Sequence, residues 1–351
     1  MKKTPYNAID HQRCLLILLV ILVHIVHFGD LYPSVKNGIN YFFMPAFLLL
    51  TGYLVNIRKS ASDFGRYLLR ILLPYLIMTT GFAVASLYLP VRGGMELFSW
   101  SQLFHIVCVT SIGPYWFLHT MMVCGILYYL AFLLADAIKP SSDNTSAISS
   151  SQLSDISSAQ ISAASSVRFQ RWTSGLKAQR MLLLLFFAIL LALISYATPL
   201  LPGIYATFYF GGAFIRQMDW RWERVFPAFW WSAIPFALLF AIPNYQAAGI
   251  ISVWILAACF MSFAAAWGNA LHGRLQEWSG YIGHNTFPIY IFHPLFTMAA
   301  KFMVPLFHFD PTGLSHAFFT IVMGTAGSLS IAWVMDRIGL SWIFGKGKML
   351  R

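Results

Sequence analysis

The sequence predicts an all-α, polytopic integral membrane protein with about ten transmembrane helices and both termini in the cytoplasm. Three observations lead there. Of 351 residues, 58% are hydrophobic and only 10% are charged, and the mean hydropathy is +0.67, far more apolar than a soluble domain. Apolar stretches long enough to cross a bilayer recur along the whole chain. The basic residues, finally, sort to one side of those stretches, as the positive-inside rule requires.

Read with a hydropathy window of about 19 residues, the spans fall at 11–29, 38–57, 68–90, 114–137, 181–198, 203–216, 226–243, 248–268, 284–306 and 315–336. Lys2 and Lys3 precede the first span in the manner of a signal peptide, but no small-residue cleavage site follows, so this segment is expected to be retained. The sixth span is short and contains Gly211 and Gly212, which predicts a tilted or broken helix. Residues 98–112 carry Trp100 and His105 and read as an interfacial or re-entrant piece. The serine-rich stretch from Ser141 to Ser166 has few large apolar residues and no periodicity, so 138–180 is expected to be a disordered cytoplasmic linker. It separates 1–137, with spans one to four, from 181–351, with spans five to ten and a short basic tail. Both parts belong to one membrane domain.

With this count, all but Lys36, Arg92 and Lys301 of the 23 basic residues lie on the N-terminal side of the membrane. An odd number of spans would scramble that segregation. The net charge of +11 therefore belongs to loops beside anionic lipid, and a nucleic-acid partner is not expected. Cys14, Cys108, Cys124 and Cys259 are scattered without CxxC or Cys/His spacing, which predicts neither a disulfide framework nor a metal site. No nucleophile elbow, phosphate loop, HExxH or paired-carboxylate pattern occurs. Asp30, Asp136 and Asp336 sit near span ends, which speaks against a carboxylate relay and against metal-dependent glycosyl transfer. Histidine and arginine are left to do chemistry.

Four constellations bring those residues forward. Arg13 and His24 flank the apolar run CLLILLVILV in the first span. Eleven steps of about 100° return a helix to within roughly 20° of its starting face, about 16 Å further along. One face thus carries a cation at the membrane edge and an imidazole near mid-bilayer, a depth at which ionisable groups usually serve a pathway or a reaction. Snorkelling of Arg13 and a helix-to-helix bond from His24 would explain the pair equally well. His27, three residues on, lies on an adjoining face and stands to line the same cavity, with Asp30 beyond it. The second constellation follows Arg58-Lys59: Arg66 and Arg70 share one helical face and repel each other unless an anion compensates. A phosphate-rich cytoplasmic ligand suits them, and so does anionic lipid. The third is Gly113-Pro-Tyr-Trp116-Phe-Leu-His119, an aromatic entrance to span four on the outer side. In the fourth, Asn285, Tyr290 and His293 enter span nine between Gly283 and Pro294.

These pieces, in this order, resemble the acyltransferase 3 family of integral-membrane acyltransferases. The likeness rests on Arg13-x10-His24, on Phe47-LLL-Thr51-Gly52-Tyr53-Leu54, on Arg66-x3-Arg70, on Trp116-Phe117-Leu118 and on Tyr290-x2-His293-Pro294. It runs from about residue 8 to 336, with the serine-rich stretch as an insertion. Two departures stand out: many members space the basic pair as Arg-x2-Arg, and no esterase-like domain follows the last span. The resemblance is therefore to membrane-only members, which O-acetylate sugars of envelope glycans or lipid-linked intermediates at the inner (plasma) membrane.

The resemblance implies acetyl-CoA as acyl donor, no metal, and a carbohydrate or lipid-linked glycan as acceptor. It implies His24 as general base and Arg13, Arg66 and Arg70 as the donor's phosphate-binding residues. His27, Trp116, His119, Asn285, Tyr290 and His293 are left as unranked groups for orienting the acceptor or stabilising the oxyanion. Direct transfer and an acyl-histidine intermediate both fit the sequence. The competing class is a transporter or flippase for a lipid-linked sugar or small anion; such proteins often show internal repeats, and none is evident here.

Overall fold

The computed structural model describes residues 8–89, 93–138, 158–242 and 249–351, with side chains from 177 onward in the third stretch. Among the described residues every regular element is helical and no strand occurs. The helices are α1 (Ala8–His24), α2 (Val26–Leu31), α3 (Pro33–Leu54), α4 (Ala61–Ala85), α5 (Trp100–His105), α6 (Trp116–Ala137) and α7 (Ser158–Ala197). After them come α8 (Gly203–Gln217), α9 (Trp222–Val225), α10 (Ala233–Ala241), α11 (Ile250–Ala270), α12 (Gly273–His284), α13 (Thr286–Lys301) and α14 (Leu314–Arg337). Five segments, Ala61–Ala85, Gly113–Ala137, Lys177–Ala197, Ile250–Ala270 and Leu314–Arg337, are long and apolar enough to cross a bilayer. The protein is an all-α, multi-pass membrane protein.

Several predicted spans are interrupted, each for a local reason. The first breaks at Ile25, which is extended (φ −77°, ψ 111°), so α1 ends at His24 and α2 is a separate short helix. The seventh never forms one helix: α9 ends at Val225, and Phe226 is non-helical, as the following Pro227 favours. The chain resumes as a 3-10 turn over Trp230–Ser232 and the nine-residue α10. The ninth is offset from α12 by Asn285 (φ −104°, ψ 31°), and Pro288 and Pro294 both lie within α13. Residues 98–112 form α5 and a π-helical turn over Ile106–Thr110, closed by Ser111 at φ 61°.

The expected linker divides differently. Residues 139–157 lie outside the described residues, whereas α7 already begins at Ser158, well before the expected start of the fifth span. Alanine, glutamine, arginine and lysine recur from there with Gly175 as the one breaker, so the span's helix extends upstream.

Helix α1 is the centre of the bundle and packs against α3, α11, α12, α13 and α14. Leu16, Ile17, Val20 and Ile21, at helical spacing, are completely buried. Polar residues of its N-terminal half bond other helices. Gln12 donates from Nε2 to the Met261 carbonyl (2.9 Å) and accepts from Trp222 Nε1 (2.8 Å), and His11 Nδ1 lies 2.9 Å from Ser279 Oγ. Such bonds satisfy groups that a membrane interior would otherwise leave unpaired. Helices α3 and α8 meet backbone to backbone through Gly52 and Gly212: a Cβ at Gly212 would lie 1.9 Å from the Leu49 carbonyl oxygen, and one at Gly52 2.2 Å from that of Tyr209. The Thr51-Gly52 step is a helix-crossing point.

After α14 the chain turns back. A 3-10 turn over Leu340–Phe344 sits between Gly339 and Gly345, both left-handed (φ 75° and 66°). The Asp336 carboxylate then accepts from the Ser341 hydroxyl and from the backbone N–H groups of Met349 (2.6 Å) and Leu350 (2.9 Å).

Candidate active site

The N-terminal ends of α1 and α4, the start of α13 and the segment after α14 surround a cavity of about 580 Å³. Arg13, Lys59, Arg66, Arg70, Lys346 and Arg351 line it, with Asp63 as its single acidic side chain among the described residues. Ser60 caps α4, accepting from the Asp63 N–H (3.1 Å) and donating to its carboxylate (2.8 Å). The same carboxylate pairs with Arg66 at 2.7 Å. Part of the charge expected at the Arg66 and Arg70 pair is thereby met from within α4, and Arg66 is exposed. Arg13 is better placed. Its guanidinium donates to Thr286 Oγ1 (2.7 Å) and lies 3.9 Å from Asp10.

Arg13 also lines a second chamber of about 360 Å³, as do Lys59, Tyr67, Met121, Phe287 and Arg351, so the two spaces share walls. The chamber is largely apolar, with Ile17, Phe47, Leu50, Phe117 and Leu118 on its sides and Tyr290 at its wall. The Phe47 to Thr51, Phe117-Leu118 and Tyr290 motifs, far apart in sequence, thus meet around one space. Crossed tyrosine bonds fasten this wall: Tyr290 donates to the Pro114 carbonyl and Tyr115 donates to that of Ile291 (3.0 Å). The Tyr290 hydrogen is therefore engaged, and its ring is what shapes the chamber.

Behind Tyr290 lies a histidine pair. The His293 ring stands 5.9 Å from the Tyr290 ring and meets that of His24 edge-on, with centroids 5.2 Å apart at 70°. The bonds around the rings fix which nitrogen is basic. His24 Nδ1 is 2.6 Å from the Val20 carbonyl oxygen, which can only accept, so Nδ1 carries the hydrogen and Nε2 keeps its lone pair. The same holds for His293, whose Nδ1 faces the carbonyls of Tyr290 (2.9 Å) and Ile289 (3.2 Å) while Nε2 is buried without a partner. His24 itself lines neither cavity; it is linked to the chamber's Tyr290 through the ring of His293.

The remaining sequence candidates are dispersed. His27, beyond the break at Ile25, turns to His316 (5.4 Å between rings) and does not share the partner of His24. His119 packs on Tyr75 (5.9 Å) and Trp116 on Tyr205 (4.8 Å). Asn285 bonds the Tyr281 carbonyl (3.0 Å) and both backbone groups of Arg351. Its role is that of a clasp. Lys346, Arg351 and Tyr67 escape sequence reasoning: a short basic segment after the last span reads as lipid anchoring, and nothing local ties it to α1 or α13. Burial, with Arg351 and Arg70 nearby, lowers the Lys346 ammonium to about 7.

Fold and site together define a multi-pass helical membrane protein in which a basic cavity shares walls with a largely apolar chamber backed by two histidines. A family model described as an acyltransferase domain matches residues 6–335. The chain belongs to that family, acyltransferase 3, and is a membrane acyltransferase. Searches of curated proteins and of solved structures return no match.

Proposed function

We propose that this acyltransferase moves an acetyl group from cytoplasmic acetyl-CoA to a hydroxyl of a carbohydrate, in an envelope glycan or lipid-linked intermediate, at the inner (plasma) membrane. The observations that carry the reading are a mouth lined by six cations, a largely apolar chamber that shares walls with it, and the histidine pair packed behind the chamber's Tyr290. An acyl-CoA has the matching order of parts: a polyanionic end, a long thin arm and a terminal thioester. Arg13, Arg66 and Arg70 hold the phosphates, with Arg13 on the wall that mouth and chamber share.

His24 is the general base. The acceptor oxygen bonds to the thioester carbonyl carbon while its proton passes to Nε2 of His24. The tetrahedral intermediate then expels the thiolate, which takes the proton from His24, leaving an ester and free CoA thiol. His293, against His24, holds the imidazole in place, and the Val20 carbonyl keeps it in the reactive tautomer. His27 and Asp30 lie on the acceptor's side of the break at Ile25.

The test is incubation of purified, reconstituted protein with radiolabelled acetyl-CoA and, separately, envelope glycans and lipid-linked sugars. Alkali-labile label on one of these acceptors supports the reading. Movement of a lipid-linked sugar across liposomes without label transfer would overturn it in favour of transport.

A further inference from the structure

Segment 339–351 does more than follow the last helix. Asp336 gathers three donors from it, the Ser341 hydroxyl and the Met349 and Leu350 amides. Asn285 gathers its end, accepting from the Arg351 N–H at 2.9 Å and donating to the Arg351 carbonyl at 3.4 Å. Between these anchors the Lys346 ammonium lies 3.3 Å from the centroid of the Phe287 ring. Phe287 and Arg351 each line both the basic mouth and the apolar chamber, and Lys346 lines the mouth.

The energetics of this arrangement point outward to a ligand. Two cations from the segment are held beside Arg13 of α1 and Arg70 of α4, with His284 of α12 and Lys59, Asp63 and Arg66 around the same space. Like charges so gathered disfavour one another: burial first, and then Arg351 and Arg70, lower the Lys346 ammonium. Asp63 is already shared with Arg66, and Asp336 is taken up by the clasp. A polyanion in the cavity removes the repulsion.

We propose that segment 339–351 is a strap that completes the donor site: Lys346 and Arg351 contact the phosphates of the acyl-CoA, and Asp336 and Asn285 are positioning residues that hold them over the mouth. This rests on the donor reading above. The strap also explains why the mouth carries more cations than Arg13, Arg66 and Arg70 supply.

The test is calorimetric titration of CoA into full-length protein in nanodiscs. Lys346→Gln and Arg351→Gln should each weaken binding by about five- to tenfold, and Asp336→Asn should do so with every cation still present. Lys346→Arg should keep the affinity but remove its decline between pH 7 and 9, a change that a merely structural role would not produce. If the Lys346→Gln/Arg351→Gln double variant binds CoA as the wild type does while Arg13→Gln binds weakly, the strap is wrong and the donor site stands. Wild-type protein that binds no CoA overturns the donor reading itself. An Asp336→Asn protein that melts earlier but binds CoA normally removes the positioning role.

Discussion

Replacing Arg13 by glutamine tests the donor site. The guanidinium is one quarter exposed, donates to Thr286 and stands on the wall common to mouth and chamber. A hydrogen bond to a charged group contributes about 1.5–3 kcal/mol. Five other cations share the same cavity and cover part of the loss, so the lower end applies: about 1.5 kcal/mol, or roughly tenfold in donor affinity. The fold should tolerate the change, because the Arg13 side chain is part-exposed and Asp10 keeps His284 at 3.7 Å. The chemical step should be spared, since Arg13 lies about 16 Å along the helix from His24. Initial rates against acetyl-CoA concentration, with a direct CoA titration, should give a KM and Kd raised about tenfold and an unchanged kcat. A folded Arg13→Gln protein with wild-type KM and Kd would refute the phosphate-holding role and the direction assigned to the cavity.

Other consequences are measurable with the same preparations. Arg66→Gln should raise the donor KM by no more than about threefold, because Asp63 already offsets an exposed charge; an effect of about tenfold would show that Arg66 carries as much of the phosphate contact as Arg13. Gly212→Ala forces a Cβ to within 1.9 Å of the Leu49 carbonyl oxygen and should destabilise the protein by about 1–3 kcal/mol, read as an earlier thermal transition in detergent. Donor affinity should fall as pH rises from 7 to 9: Lys346 sits at about 7 when the cavity is empty and must take up a proton to meet a phosphate, so binding is strongest below that value. The linked stability has the opposite sign. The unfolded chain protonates this lysine near its ordinary 10.5, so the ligand-free protein gains stability as pH rises from about 7 towards 10.5, which melting curves across that range will follow.

Much of the site was legible because helical periodicity is local. Arg13 and His24 lie on one face whatever surrounds them, and α1 realises that face with a buried Leu16, Ile17, Val20 and Ile21 stripe. Motif order carried the rest of the chamber wall, since Phe47, Phe117, Leu118 and Tyr290 do converge. What stayed hidden depends on contacts between distant segments. Nothing near Asn285 or Tyr290 announces that their polar groups are engaged by Arg351 and Pro114. The two histidines of the first span looked like one cluster, yet the extended Ile25 gives them different partners, His293 and His316. Hydropathy, likewise, sees an apolar run at 226–243 but not the turn that divides it.

The central claim is that His24 takes the acceptor's proton. Transfer of radiolabelled acetyl from acetyl-CoA to an envelope acceptor, measured for wild type and His24→Ala at equal amounts of folded protein and saturating donor, tests it most directly. The account predicts a loss of about 10²–10⁴-fold in kcat with CoA binding retained. Wild-type turnover by a folded His24→Ala protein would contradict it.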